Sequence, residues 1–266
     1  MATTSVNDIL GIPSPSFTND GWSPPERFTG PEIAEWELNT ETPLLGTKEK
    51  PLLLPGWRMV IAGATGQGKT TFTLNMVKAL LTGETFIEYP GIGEGKALLL
   101  DLEQGKRSLQ RRIVETGLDV VDNFHAYRIP DGMELSSGED VTGFGLDQRL
   151  WLEEMFEAEQ YSVVIVDPFY KMHTSDSSDE RAMVDLMKLF DGYREKYGFA
   201  LVIPMHLRKE NEKPTMNDVF GSSSLLRGAE VVLGLQLIEG RVSEDSDGLS
   251  RLWYWKDRDG DLPVGG

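Results

Sequence analysis

The 266 residues can bury a sizeable core, most simply as one domain with appendages. There is no cysteine and there are three histidines, which excludes disulfides and thiol catalysis and leaves little scope for a cysteine- or histidine-rich metal centre. A net charge of -17 argues against a broad basic nucleic-acid-binding face, though not against a narrow basic strip such as the lining of an oligomer channel.

In chain order, residues 1–50 read as an arm or linker and residues 51–266 as one domain. Pro13, Pro15, Pro24, Pro25, Pro31 and Pro43 break any long element of the arm. Residues 31–38 fit one short helix with Ile33, Ala34 and Trp36 as its apolar set. Such an arm is partly disordered or docks on a neighbour, and Trp22, Phe28 and Trp36 favour docking. Residues 58–62 predict a buried strand and residues 71–81 an amphipathic helix. Between them Gly63, Ala64, Thr65, Gly66, Gln67, Gly68, Lys69 and Thr70 match G-x-x-x-x-G-K-[ST], the phosphate-binding loop. A strand follows at 97–101, then a helix at 106–116 and a strand at 124–129. Residues 130–145 read as a Gly- and acid-rich loop, 146–158 as a helix and 162–167 as an apolar strand. A polar loop at 170–179 leads to a helix at 180–197, a strand at 200–205 and a second polar loop at 211–224 with Gly221. Two last strands lie near 231–238 and 251–256. Short apolar strands alternating with helices predict an α/β fold, a mostly parallel central sheet covered on both faces, with the last pair as an edge extension. No stretch reaches the roughly 18 apolar residues of a membrane span, and the N-terminus lacks a signal-peptide pattern, so a soluble, intracellular protein is expected.

The glycine-rich turn and the helix after it bring backbone N–H groups together on phosphates, a role that extends to Thr71. Lys69 would reach the β- and γ-phosphates, and Thr70 would hold Mg²⁺. Asp167 closes an apolar strand, the position of a carboxylate that holds Mg²⁺ through water. Glu103 lies just past a strand end, where a carboxylate can act as general base on the attacking water. Asp101 is its rival: on an extended backbone the two face the same side, and alternation cannot separate them. His206, also at a strand end, is placed to bond the γ-phosphate or its water. Metal ligation by His206 lacks partners. Lys256 and Arg258 are two spaced cations on an aromatic strand, able to stabilise charge on a transferring phosphate in cis or from a neighbour. Arg112 is a candidate contact to the nucleotide base.

Read together and in this order, these segments resemble the RecA-like branch of P-loop ATPases. Within that branch the chain looks most like the plasmid RepA-type hexameric helicases and related phage AAA family ATPases, over roughly residues 50–260. The resemblance implies a RecA-like P-loop core, ATP and Mg²⁺ as ligands, and a bacterial or phage-infected host cytoplasm. It places the catalytic base at Glu103 and the γ-phosphate sensor at His206. It makes Lys256 and Arg258 a paired finger on the adjacent subunit's nucleotide, in a hexameric ring or helical filament. It further implies two loops facing single-stranded DNA, near 170–179 and 209–222, with Lys171, Arg208, Lys209 and Lys213 as the available cations. The family's double histidine is reduced here to His206 followed by Leu207. The expected function is therefore ATP-driven translocation or unwinding of single-stranded DNA, with replication or recombination proteins as partners. The alternatives are a RecA-like recombinase and an ATP-gated scaffold or loader acting through protein partners.

Overall fold

A computed structural model of the chain describes residues 27–35, 41–129, 146–172, 180–208, 212–220, 223–239 and 249–258. The chain divides into two compact units, Met1–Thr40 and Glu41–Gly266. In the first unit the described residues hold one helix, α1 (Gly30–Ala34). Glu32 Oε2 accepts from the Thr29 N–H at 2.6 Å and from its hydroxyl at 2.7 Å, fixing the helix start. Pro31 sits in the first turn, where its missing N–H costs nothing. Trp22, Trp36 and the rest of the expected helix lie outside the described residues.

The second unit opens with a short antiparallel pair, β1 (Leu45–Gly46) and β2 (Pro51–Leu53). Leu45, Leu52 and Leu53 on it are fully buried. Then come β3 (Arg58–Gly63), α2 (Lys69–Thr82), and a tiny hairpin of β4 (Thr85–Phe86) and β5 (Tyr89–Pro90). They are followed by β6 (Ala97–Asp101), α3 (Lys106–Thr116), β7 (Phe124–Arg128), α4 (Leu146–Glu159) and β8 (Val163–Asp167). The last elements are α5 (Glu180–Tyr197), β9 (Ala200–His206), α6 (Ser223–Gly228), β10 (Val231–Glu239) and β11 (Leu249–Asp257). Seven strands form one sheet in the order β11-β10-β3-β9-β8-β6-β7. All its neighbours are parallel except β10 and β11, which form the expected edge hairpin. The α/β fold expected from the sequence is the fold observed, a P-loop NTPase core.

Strand alternation assigns side chains to two layers. Met59, Ile61, Leu99 and Ile165 face one way, against Leu74, Val77 and Leu80 of α2 and Leu109 of α3. Val60, Ala62, Leu98 and Val164 face the other, against Phe156 of α4 and Leu186 and Phe190 of α5. With helices on both faces the central strands have no wet side, so they are almost wholly apolar between their ends. Each fully buried Val, Leu or Ile contributes roughly 1.5–3 kcal/mol.

Two boundary differences matter for function. The helix after the phosphate loop begins at Lys69, two residues before the expected start, because Gly68 in a left-handed conformation serves as its N-cap. β9 runs on through His206, which pairs in register with Gly63. The residues between the expected end of the 162–167 strand and 180 include a short 3-10 turn, Phe169–Met172; residues 173–179 lie outside the described set, as do 130–145.

The centre of the sheet opens at its tips. The β8–β9 ladder ends at Ile165 and Val202. Along β9 the Ala200 N–H points to Ser162, before β8, and the Leu201 N–H points to Trp57, before β3. By alternation Pro204 would direct its N–H toward β8, and proline has none. Pro204 falls just beyond the last paired residues, where its missing N–H leaves no further rung.

Candidate functional site

The C-terminal ends of β3, β6, β8 and β9 lie at one edge of the sheet, and they bring Gly63, Asp101, Asp167 and His206 together. Asp101 pairs in register with Asp167, and Gly63 with His206. Ligands of open α/β sheets bind at this edge.

The loop from Gly63 to Lys69 is shaped by its glycines. A Cβ on Gly63 would come within 2.7 Å of the Leu235 carbonyl oxygen, so β10 requires glycine there. Gly66 and Gly68 both have φ of 80°. Thr65, Gly66, Gln67 and Thr71 are accessible on the loop and the first turn of α2. Gln67 Oε1 accepts the Leu237 N–H, tying the loop to β10. Ala64 accepts the Gln67 N–H at 3.3 Å.

Lys69 is buried, and its Nζ donates to the Gly63 carbonyl at 2.8 Å and the Ala64 carbonyl at 2.9 Å. Burial lowers its pKa, opposed by Asp167 and Glu103. The His206 Nδ1 lies 3.3 Å from Lys69 Nζ and 3.4 Å from Thr65 Oγ1. A lysine ammonium can only donate, so this ring nitrogen is the acceptor. Burial and the Lys69 charge hold the His206 pKa below its ordinary value, against the pull of Glu103. The neutral ring is thus favoured at the loop.

Thr70 Oγ1 donates to Asp167 Oδ2 at 2.8 Å. Burial pushes Asp167 up to about 6; Glu103 and Asp101 add to the rise, and the Thr70 bond and Lys69 oppose it. A carboxylate held this high by its surroundings is a natural seat for a cation. Among the described residues no group of three or more His, Asp or Glu side chains is arranged to hold a metal. Mg²⁺ binds one or two protein groups and completes its shell with phosphates and water. Thr70 and Asp167 are the residues that would hold it.

The structure separates the two rival carboxylates. β6 ends at Asp101, and the chain turns instead of continuing extended, so the expected shared face does not form. Asp101 is buried, and its Oδ1 accepts the N–H groups of Glu103 at 3.2 Å and Gln104 at 3.0 Å. It builds the turn. Burial also raises its pKa. Glu103 is thrown out onto the accessible tip, where its charge acts on Lys69, Asp167 and His206. The geometry therefore favours Glu103 as the group that meets water.

Arg112, the candidate base contact, lies outside the lining of the cleft beside the loop. It sits on α3, half-buried, and its charge acts on Asp101. That cleft, of about 690 Å³, is lined by Gly68, Thr71, Phe72, Phe86, Ile87 and Leu252 among others. The Phe72 and Phe86 rings meet edge to face, with centroids 4.9 Å apart. Sequence reading missed this cleft, because it is assembled from α2, the β4–β5 hairpin and β11.

Lys256 and Arg258 are not brought to this site. Lys256 pairs with Val232, which pairs with Val60, while the phosphate loop starts beyond the other end of β3 at Gly63. Both cations thus lie at the opposite end of the sheet from their own chain's loop. Of the loop cations, Lys171 is half-buried, Lys213 is exposed and Lys209 lies outside the described residues.

A glycine-shaped loop, a buried lysine in it, and a threonine bonded to a strand-end aspartate define a P-loop nucleoside triphosphatase. A family model described as the AAA domain matches residues 31–212, more than half of the chain. The chain belongs to that family and is an AAA-type P-loop ATPase. No curated protein matches it. Among the described residues no helix is long and apolar enough to cross a membrane.

Proposed function

We propose that this ATPase couples Mg²⁺-dependent ATP hydrolysis to movement along single-stranded DNA, as a homo-oligomer working in replication or recombination. One observation carries the reading: both loops beside the site are tied to each other and to His206. The Phe220 N–H donates to the His206 carbonyl at 2.7 Å, and the Arg208 N–H to the Asp218 carbonyl at 2.7 Å. The Phe220 ring meets the Tyr170 ring edge to face, with centroids 6.3 Å apart. Tyr170 begins the loop after β8, and Phe220 ends the described part of the loop after β9. A shift of His206 when the γ-phosphate leaves would therefore reach the described ends of both loops through Phe220.

In this reading the backbone of the phosphate loop and Lys69 orient the triphosphate. Glu103 takes the proton of the attacking water, and His206 bonds the γ-phosphate. The base lies in the cleft beside the loop, whose apolar lining includes Phe72, Phe86 and Leu252. Mg²⁺, when bound at Thr70 and Asp167, neutralises phosphate charge. Lys256 and Arg258 serve the nucleotide of an adjacent subunit. The test is ATP turnover with and without single-stranded DNA, alongside particle mass with ATP. Stimulation by DNA in an oligomer is expected; a stable monomer indifferent to DNA would refute the proposal. A second reading, an ATP-gated scaffold for protein partners, is favoured by the charge of -17 and by Glu212 and Asp218 among the loop cations. Slow turnover in an oligomer, unmoved by DNA, would select it.

A further inference from the structure

The end of the sheet opposite the phosphate loop holds a compact cluster of charge: Arg58, Asp191, Arg194, Glu230, Lys256 and Arg258. Its partners are unequal. Lys256 Nζ donates to two backbone carbonyls of α6, Leu226 at 2.9 Å and Arg227 at 2.7 Å. Arg258 Nη2 donates to the Arg227 carbonyl at 3.1 Å, and its Nη1 to Glu230 Oε1 at 3.1 Å. Carbonyls satisfy N–H donors without cancelling charge, so Glu230 supplies the carboxylate. Arg58 and Arg194 lean on Asp191, Arg58 at 3.5 Å and Arg194 at 3.0 Å.

Glu230 is itself fixed on several sides. Its N–H donates to the Arg58 carbonyl at 2.9 Å, and its carbonyl accepts the Arg258 N–H at 3.0 Å. Its Oε2 accepts the Arg58 N–H at 2.7 Å and Arg194 Nη1 at 3.4 Å. The Glu230 side chain is 14% exposed, whereas that of Arg258 is 51% exposed. A guanidinium has five donors in a rigid plane. Two are held here by an anchored carboxylate and a helix-end carbonyl. The plane is thereby oriented on a side chain that remains half exposed.

We propose that Glu230 is a positioning residue for Arg258, setting the direction in which its guanidinium meets the triphosphate bound by a second copy of this chain. This rests on the reading that Lys256 and Arg258 act across a subunit boundary. Glu230 does not touch phosphate. It anchors Arg258 to the first residue of β3, the strand whose far end carries the phosphate loop. Asp191 makes a useful control, because it holds Arg58 and Arg194 but not Arg258.

The experiment measures ATP turnover with Mg²⁺, across ATP concentrations, for E230Q, R258A, the E230Q/R258A pair and D191N, with a thermal melt of each. E230Q is expected to lower kcat about tenfold to hundredfold with KM for ATP unchanged, the scale of a misdirected catalytic group. In the R258A background E230Q should add nothing, since its effect runs through Arg258. D191N should melt earlier yet keep its kcat. If E230Q melts below the assay temperature, E230D carries the test, because it keeps the charge one methylene further back and should show the same fall in kcat. A native kcat in E230Q beside a slow R258A overturns the Glu230 assignment and leaves the finger standing. A native kcat in R258A overturns the finger reading and this proposal with it. Additive losses in the pair, or a D191N as slow as E230Q, would mean that Glu230 only stabilises the fold, and would also overturn it.

Discussion

Replacing Asp167 with asparagine should make the nucleotide-free protein more stable while abolishing its turnover. Burial holds the Asp167 pKa at about 6, against an ordinary 3.8, a rise of about two units. At about 1.4 kcal/mol per unit, keeping this carboxylate ionised at neutral pH costs the folded state about 3 kcal/mol. Asparagine removes the charge and still accepts from Thr70 Oγ1, whose bond is 2.8 Å long. The rise to about 6 already includes the opposing effect of that bond. The gain is therefore about 3 kcal/mol, or roughly 6–12 °C in Tm for a unit of this size. The pH dependence fixes the sign. A carboxylate whose pKa is raised on folding contributes stability that is fully present below its unfolded value and is lost as pH rises through its folded one. The advantage of D167N should therefore be absent below pH 3.8, open between there and about 6, and stay level above. Thermal and urea unfolding in EDTA, from pH 4 to pH 8, measures it. A D167N protein no more stable than the native one at pH 7.5, or a gain that does not shrink on acidification, would refute the reasoning. Added ATP and Mg²⁺ should reverse the order, because they stabilise only the protein that can hold the cation.

Other consequences follow from the same geometry. E103Q should bind ATP normally, measured by equilibrium titration, and turn it over about 100-fold or more slowly; unchanged turnover would return the base role to Asp101. F86D puts a charge in the apolar cleft and should weaken a fluorescent ATP analogue about tenfold with kcat unchanged. R112A should leave that affinity unaltered, since Arg112 stands beside Asp101 and not in the cleft; a tenfold loss would restore it as a base contact.

The central sheet was legible because its strands are short apolar runs ending in a carboxylate or histidine, as at Asp167 and His206. The helix at 106–116 was legible from its spacing and came out with the same ends. The phosphate loop was legible as a motif, although the helix starts earlier because Gly68 caps it. The choice between Asp101 and Glu103 was not legible, since it depends on a turn that Asp101 itself builds. The cleft was not legible either: Phe72, Phe86 and Leu252 are far apart in the chain, and a two-residue strand such as β4 has no periodicity to detect. For Lys256 and Arg258 the residues were visible, but their end of the sheet appears only in the β10–β11 register.

Pro204 gives the gap between β8 and β9 an origin in covalent chemistry. Strands zipped to their tips stand about 4.8 Å apart, too close to admit a phosphoryl group and a water between the ends. At this position the backbone has no hydrogen to offer, so the pairing has no further rung to form and the two strands part. The parting of the strand ends that carry Asp167 and His206 is thus written into the sequence at Pro204.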